Sequence, residues 1–186
     1  MTIQKMTIED GWLVPARHLC SPHQNPRPEN EVSLLVIHGI SLPPGEFGGP
    51  WIDDLFMGRL DTQAHPYFAT IAGLQVSTHC LIRRDGELVQ YVPFSARAWH
   101  AGVSSYAERS ACNDFSIGIE LEGTDDSCYT PEQYKTLVAV TQVLLQHYPD
   151  LTPERIVGHS DIAPGRKTDP GAGFDWAYYR QQLAPA

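Results

Sequence analysis

Phe115-Ser116-Ile117-Gly118-Ile119-Glu120-Leu121 alternates without a break. Ile117, Ile119 and Leu121 point one way, and Ser116, Gly118 and Glu120 point the other, the period of an extended strand. Upstream, residues 32–38 are almost continuously apolar and β-branched, which predicts a buried strand ending at His38. Residues 76–82 and 88–92 flank Arg83-Arg84-Asp85-Gly86-Glu87, and the Asp-Gly pair marks them as two strands of a hairpin. Residues 155–159 form one more short strand before a long Gly/Pro loop.

The remaining periodicity is helical. Tyr134, Leu137, Val138, Thr141, Leu144, Leu145 and Tyr148 share one face of a helix predicted over residues 131–148. Thr130 is placed to cap it, Pro131 takes the first position, and Gln133 completes a capping box. Asp175 is expected to cap a last helix carrying Trp176, Tyr179 and Leu183. Short helices are expected over 51–57 and 66–72, a Gly/Pro loop over 40–50, and a Pro-rich surface loop over 21–30. Strands, one hairpin and a long packing helix together predict an α/β fold. It is read as a single domain, residues 1–186, with a mixed central β-sheet flanked by helices.

The charge is acidic, with 13 Lys and Arg against 22 Asp and Glu for a formal net of −9. Such a surface suits neither nucleic acid nor an anionic membrane, so neither partner is expected. No obligate protein partner is evident either. Residues 1–9 hold no apolar targeting core, and no run approaches the ~20 apolar residues of a membrane helix, so a cytoplasmic location is expected. Cys20, Cys80, Cys112 and Cys128 are irregularly spaced with no C-x-x-C pair, and read as free thiols.

Metal-competent side chains stand at or just beyond strand ends. His38 follows Leu35-Val36-Ile37, His159 lies in Ile156-Val157-Gly158-His159-Ser160-Asp161, and Asp169 lies in Gly165-Arg166-Lys167-Thr168-Asp169-Pro170-Gly171. Two imidazoles and a carboxylate make a reasonable catalytic zinc set that leaves a fourth position free. Spacing alone says little, because there is no H-E-x-x-H. A strand-end His also serves as a hydrogen-bonded structural residue, and Asp169 before Pro170-Gly171 also serves a turn.

Four blocks say more. They are Val36-Ile37-His38-Gly39-Ile40-Ser41-Leu42-Pro43-Pro44-Gly45, Ala98-Trp99-His100-Ala101-Gly102, Ser116-Ile117-Gly118-Ile119-Glu120-Leu121-Glu122-Gly123 and Gly158-His159-Ser160-Asp161-Ile162-Ala163-Pro164-Gly165-Arg166-Lys167-Thr168-Asp169-Pro170-Gly171. From about Gly11 to Trp176 the chain resembles the zinc-dependent N-acetylmuramoyl-L-alanine amidases, in particular those acting on 1,6-anhydro-muropeptides. Phage-type amidases and peptidoglycan recognition proteins are related. The resemblance implies one Zn2+ per chain on His38, His159 and Asp169. It also implies an anhydro-muropeptide substrate, cleavage between N-acetylmuramic acid and L-alanine in cell-wall recycling, and a role in limiting β-lactamase induction. Gly39, where the family pattern has Asn, and Gln75, where it has Arg, depart from that pattern.

Amide hydrolysis needs an activated water, which zinc supplies by lowering its pKa towards ~7. It also needs a group that moves a proton to the leaving amine and a cation for the oxyanion. The resemblance assigns these roles to Glu120 and Lys167. Tyr67 is expected to bring a hydroxyl to the site or simply to pack, Trp99 to stack on a sugar face or fill core, His100 to line the substrate groove, and Arg109 to hold a peptide carboxylate. His79 reads as structural. Three rival readings are a recognition protein that binds without cutting, a non-haem iron site built on a facial triad, and an exported amidase acting on intact wall, against which the lack of an apolar targeting core speaks. The full ligand set plus Glu120 speaks against the first; the order His, His, Asp without H-x-D speaks against the second.

Overall fold

The computed structural model describes residues 6–183, so the first five residues of the 1–9 segment lie outside it. Its centre is a six-stranded sheet. Across the sheet the order is Ile156–Gly158, Leu34–Ile40, Ser116–Glu122, Cys80–Ile82, Leu88–Gln90 and Arg17–His18. Neighbours are parallel except in the hairpin of Cys80–Ile82 with Leu88–Gln90. Both faces are covered, and every residue of Ser116–Glu122 is buried. On one face Leu35, Ile37, Ile117, Ile119 and Leu121 pack on Leu137, Val140 and Leu144 of the Pro131–His147 helix and on Tyr179 of the Trp176–Leu183 helix. Each such aliphatic side chain contributes about 1.5–3 kcal/mol by leaving water. On the other face Leu34 and Val36 meet Ala101, Cys112, Phe115 and Ile162.

The long helix begins as its sequence requires. Thr130 Oγ1 accepts from the Gln133 N–H at 3.1 Å, and Gln133 Oε1 accepts from the Thr130 N–H at 3.0 Å. The amide nitrogen of the same Gln133 donates to the carbonyls of Ile82 at 3.1 Å and Glu122 at 2.9 Å. One buried side chain thus caps the helix and satisfies the last residues of two neighbouring strands. Asp175 accepts from the Tyr178 N–H at 2.9 Å and caps the final helix.

Several boundaries differ from expectation for identifiable reasons. The first core strand is Leu34–Ile40 and so runs past His38. The expected 76–82 strand is regular only over Cys80–Ile82, because the Gly118 N–H donates to His79 Nδ1 at 3.1 Å in place of a ladder carbonyl. The strand expected at 155–159 is Ile156–Gly158, and His159 starts a short helix, His159–Ile162. The 21–30 segment is not simply a surface loop. Gln24–Pro26 pairs with Ala96–Ala98, and Arg27 is buried, donating to the carbonyls of Phe94 at 3.1 Å, Asp114 at 3.1 Å and Ser116 at 2.8 Å. All four cysteines are free.

Candidate functional site

The sheet register assembles the site. Glu120 pairs with His38 across the parallel ladder, and Gly158 pairs with Ile37. Partners in a ladder point to the same side of the sheet, so His38 and Glu120 stand together. His159, one residue beyond Gly158, arrives beside them. Asp169 returns on a loop that the Ser160 N–H closes by donating to the Asp169 carbonyl at 3.0 Å.

Three atoms converge. His38 Nδ1 lies 3.0 Å from His159 Nδ1 and 3.3 Å from Asp169 Oδ2, and His159 Nδ1 lies 3.1 Å from Asp169 Oδ2. The outer nitrogens of both rings are also engaged. His159 Nε2 faces the Ala101 carbonyl at 3.4 Å, and His38 Nε2 faces His100 Nδ1 at 2.9 Å. A carbonyl only accepts, so the proton of a neutral His159 sits on Nε2 and its Nδ1 presents a lone pair. A proton on His38 Nδ1 could serve only one of the two acceptors facing it, Asp169 Oδ2 or the His159 lone pair, and would leave the other unserved from within the trio. A cation between them serves all three. Tetrahedral zinc, with ligand bonds of roughly 2.0–2.1 Å, separates its ligands by about 3.3 Å, close to the spacings present. His38, His159 and Asp169 therefore fit a metal ion.

Burial sets the protonation of this group. It pushes His38 down to about 4, so the ring is neutral near pH 7. It drives His79 and His100 well below the usual histidine range. For Asp169 burial acts upward, but the facing His159 and His38 rings outweigh it and hold the carboxyl below the usual range. Glu120 goes the other way: burial, then repulsion from Asp169, raise it well above a normal carboxyl, and Lys167 pulls back. Its Oε1 lies 4.0 Å from His38 Nδ1, and its buried Oε2 has no hydrogen-bond partner among the described residues.

Of these groups, His100, Glu120, His159 and Asp169 line a cavity of about 300 Å³. Lys167, Tyr67 and Trp99 line it too, with an apolar wall that includes Leu42, Ile71 and Leu74. Trp99 is partly fixed, because its ring N–H donates to Asn25 Oδ1 at 2.7 Å. Arg109 is not among the lining residues. Its guanidinium makes a two-point contact with Glu31, at 2.8 and 2.9 Å, and lies over the Phe115 ring. His79 accepts from the Gly118 N–H and is structural, as expected. Gln75 lines an adjoining cavity that shares Leu55, Ile71 and Leu74 with the first. Sequence reasoning missed Tyr129, whose hydroxyl donates to the Pro170 carbonyl at 3.0 Å and fills the space beside Gly39. The missing side chain at position 39 was the available signal.

Two imidazoles and an aspartate gathered beside a buried glutamate make a candidate metal-hydrolase site, and the chain belongs to the N-acetylmuramoyl-L-alanine amidase family, whose model matches residues 28–172. Within it the chain is similar to the 1,6-anhydro-N-acetylmuramyl-L-alanine amidase AmpD of Escherichia coli (strain K12). The two are 65% identical over 176 residues, 94% of this chain and 96% of that protein. A crystal structure of a selenomethionine AmpD derivative superposes with a TM-score of 0.94 at 62% identity, covering 96% of this chain and 100% of that one. The amidase AmiD from E. coli, solved with anhydro-N-acetylmuramic acid-L-Ala-D-gamma-Glu-L-Lys as substrate, gives 0.60 at 30% identity over 98% of this chain and 67% of its own.

Proposed function

We propose that this chain hydrolyses the amide between 1,6-anhydro-N-acetylmuramic acid and L-alanine of muropeptides in cell-wall recycling. Zn2+ would be held by His38, His159 and Asp169. The observation that carries the reading is the convergence of three electron-pair donors at 3.0–3.3 Å beside a buried glutamate oxygen with no partner. When bound, zinc supplies a Lewis acid and an activated water. Glu120, as its carboxylate, takes a proton from the attacking water; burial raises its proton affinity for that step, and the resulting carboxyl delivers the proton to the departing nitrogen. The C–N bond then breaks to a muramyl carboxylate and a peptide with a free L-alanine amine. Lys167 faces the same cavity and stabilises negative charge on the carbonyl oxygen. Tyr67, Trp99 and the apolar wall seat the sugar and the peptide stem. The substrate class is supported by the substrate in the AmiD complex. Four free cysteines suit a reducing compartment, and no described helix is long and apolar enough to cross a membrane; we place the activity in the cytoplasm.

Metal analysis and mass spectrometry of anhydro-N-acetylmuramyl-tripeptide digests test this together. The expected result is about one zinc per chain and a free tripeptide. Glu120→Gln should keep its zinc and lose roughly 10²–10⁴ in rate, whereas Asp169→Ala should lose the metal itself. A wild-type chain that binds the muropeptide and leaves it intact would be a recognition protein, and the proposal would be wrong.

A further inference from the structure

His100 was expected in the substrate groove, yet its ring has nothing left to offer a substrate. It is 9% exposed, Nδ1 lies 2.9 Å from His38 Nε2, and Nε2 lies 3.0 Å from Ser116 Oγ. The next residue supplies the carbonyl that faces His159 Nε2. Both positions are fixed by one side chain, since Asn113 Oδ1 accepts from the His100 N–H at 3.1 Å and the Ala101 N–H at 2.8 Å. The strand opposite leaves room for the ring. Gly118 lies directly under it, and a β-carbon there would fall 2.5 Å from His100 Cγ.

We infer that His100 is a positioning residue for the metal: it accepts the Nε2 proton of His38 and thereby turns the Nδ1 lone pair of His38 toward His159 and Asp169. The direction of the chain is fixed from its metal end. With Nδ1 of His38 as a ligand, its only proton is on Nε2, and His100 Nδ1 must accept it. The proton of His100 is then on its own Nε2 and is donated to Ser116 Oγ. The backbone carbonyl of Ala101 performs the same service for His159. One short loop, tied to Asn113, thus sets the tautomer of both imidazoles, although neither His100 nor Ala101 donates a ligand atom. Outer partners of this kind commonly change metal affinity ~10–100-fold.

This inference rests on the metal-site reading, and the test separates the two. Zinc affinity is measured by competition with a chromophoric chelator for wild type, His100→Leu and His100→Asn. Leu keeps bulk and removes the acceptor, while Asn places an oxygen where Nδ1 stood. Nitrogen-15 spectra of the histidine rings of unaltered, zinc-loaded protein report the tautomers without any substitution. The expected results are ~10–100-fold weaker zinc in His100→Leu, near-wild-type affinity in His100→Asn, and a His100 proton on Nε2. If wild type holds no zinc, the metal reading fails and takes this one with it. If wild type holds zinc but His100→Leu matches it, or both variants weaken equally, the positioning role alone is overturned. A His100 proton on Nδ1 overturns it even where a variant does not fold.

Discussion

Gly118→Ala puts the packing under the metal site to a quantitative test. A β-carbon at 118 would stand 2.5, 2.6 and 2.9 Å from Cγ, Nδ1 and Cδ2 of His100. Ordinary contact needs about 3.5 Å, so the ring must retreat by roughly 1 Å. It cannot do so freely. Its hydrogen bonds to His38 at 2.9 Å and Ser116 at 3.0 Å are near optimal, and such a shift breaks at least one of them. Gly118 does not have a left-handed backbone, so alanine meets a packing problem there and no conformational one. Overpacking of this sort costs about 1–3 kcal/mol. The stiffer unfolded chain returns about 0.4–1 kcal/mol. On central values packing wins, about 2 against about 0.7 kcal/mol, leaving about 1.3 kcal/mol of destabilisation, or a Tm lower by roughly 3–5 °C for a chain of this size. Calorimetry of the metal-free protein reads this directly, and chelator competition should show weaker zinc in parallel. A Tm within 1 °C of wild type together with unchanged zinc affinity, at roughly the noise of both assays, would show that the ring is not confined as described.

Two further outcomes follow, one from a contact remote from the metal site and one from packing beside it. Hydrogen bonds from Arg109, then Ser33, hold the Glu31 carboxyl down to about 2, from an ordinary value of 4.5. A depressed carboxyl stabilises the fold above its unfolded pKa and loses that contribution as pH falls through the folded one. Glu31→Gln should therefore be less stable than wild type at pH 7 by under about 1 kcal/mol, since the pair is partly exposed and solvent-screened. In urea melts the difference should close between about pH 4.5 and 2, and a gap that persists at pH 2 would contradict this. Gly39→Ala should cost about 1–3 kcal/mol, because its β-carbon overlaps the Tyr129 hydroxyl. Adding Tyr129→Phe removes that atom, so the double variant should be more stable than the sum of the singles by more than about 1 kcal/mol, and strict additivity would refute the clash.

What the sequence made legible was local or periodic. The Thr130/Gln133 capping box and the Asp175 cap lie within one helical turn, and the structure has both. The alternation of Ser116–Glu122 predicts a two-sided strand, but says nothing of what lies against its polar side. That side carries Glu120 into the cavity while the His100 ring packs over Gly118. The three converging residues were picked out by their blocks; their meeting depends on the pairing of Gly158 with Ile37, which no local pattern encodes. His100 does line the cavity, but its Trp99-His100-Ala101-Gly102 setting looks like any loop and gives no sign of its contacts with His38 and Ser116; only the opposing Gly118 betrays the packed ring. Arg109 found Glu31 through a distant contact for which a single sequence gives no sign. Residues 21–30 looked like a surface loop because prolines break their periodicity, although Arg27 within them is buried against four carbonyls.

The double duty of Gln133 has a mechanical consequence. By grasping the carbonyls of Ile82 and Glu122 while fixing the first turn of the Pro131–His147 helix, it acts as an end-stop for two strands. Glu120 lies only two residues before that stop, so its reach toward His38 is calibrated from outside the cleft. A shortened helix start or a slipped strand would alter that reach before it disturbed any residue of the site itself. In this architecture the tolerance on a buried cavity carboxylate is machined into the junction between helix and sheet.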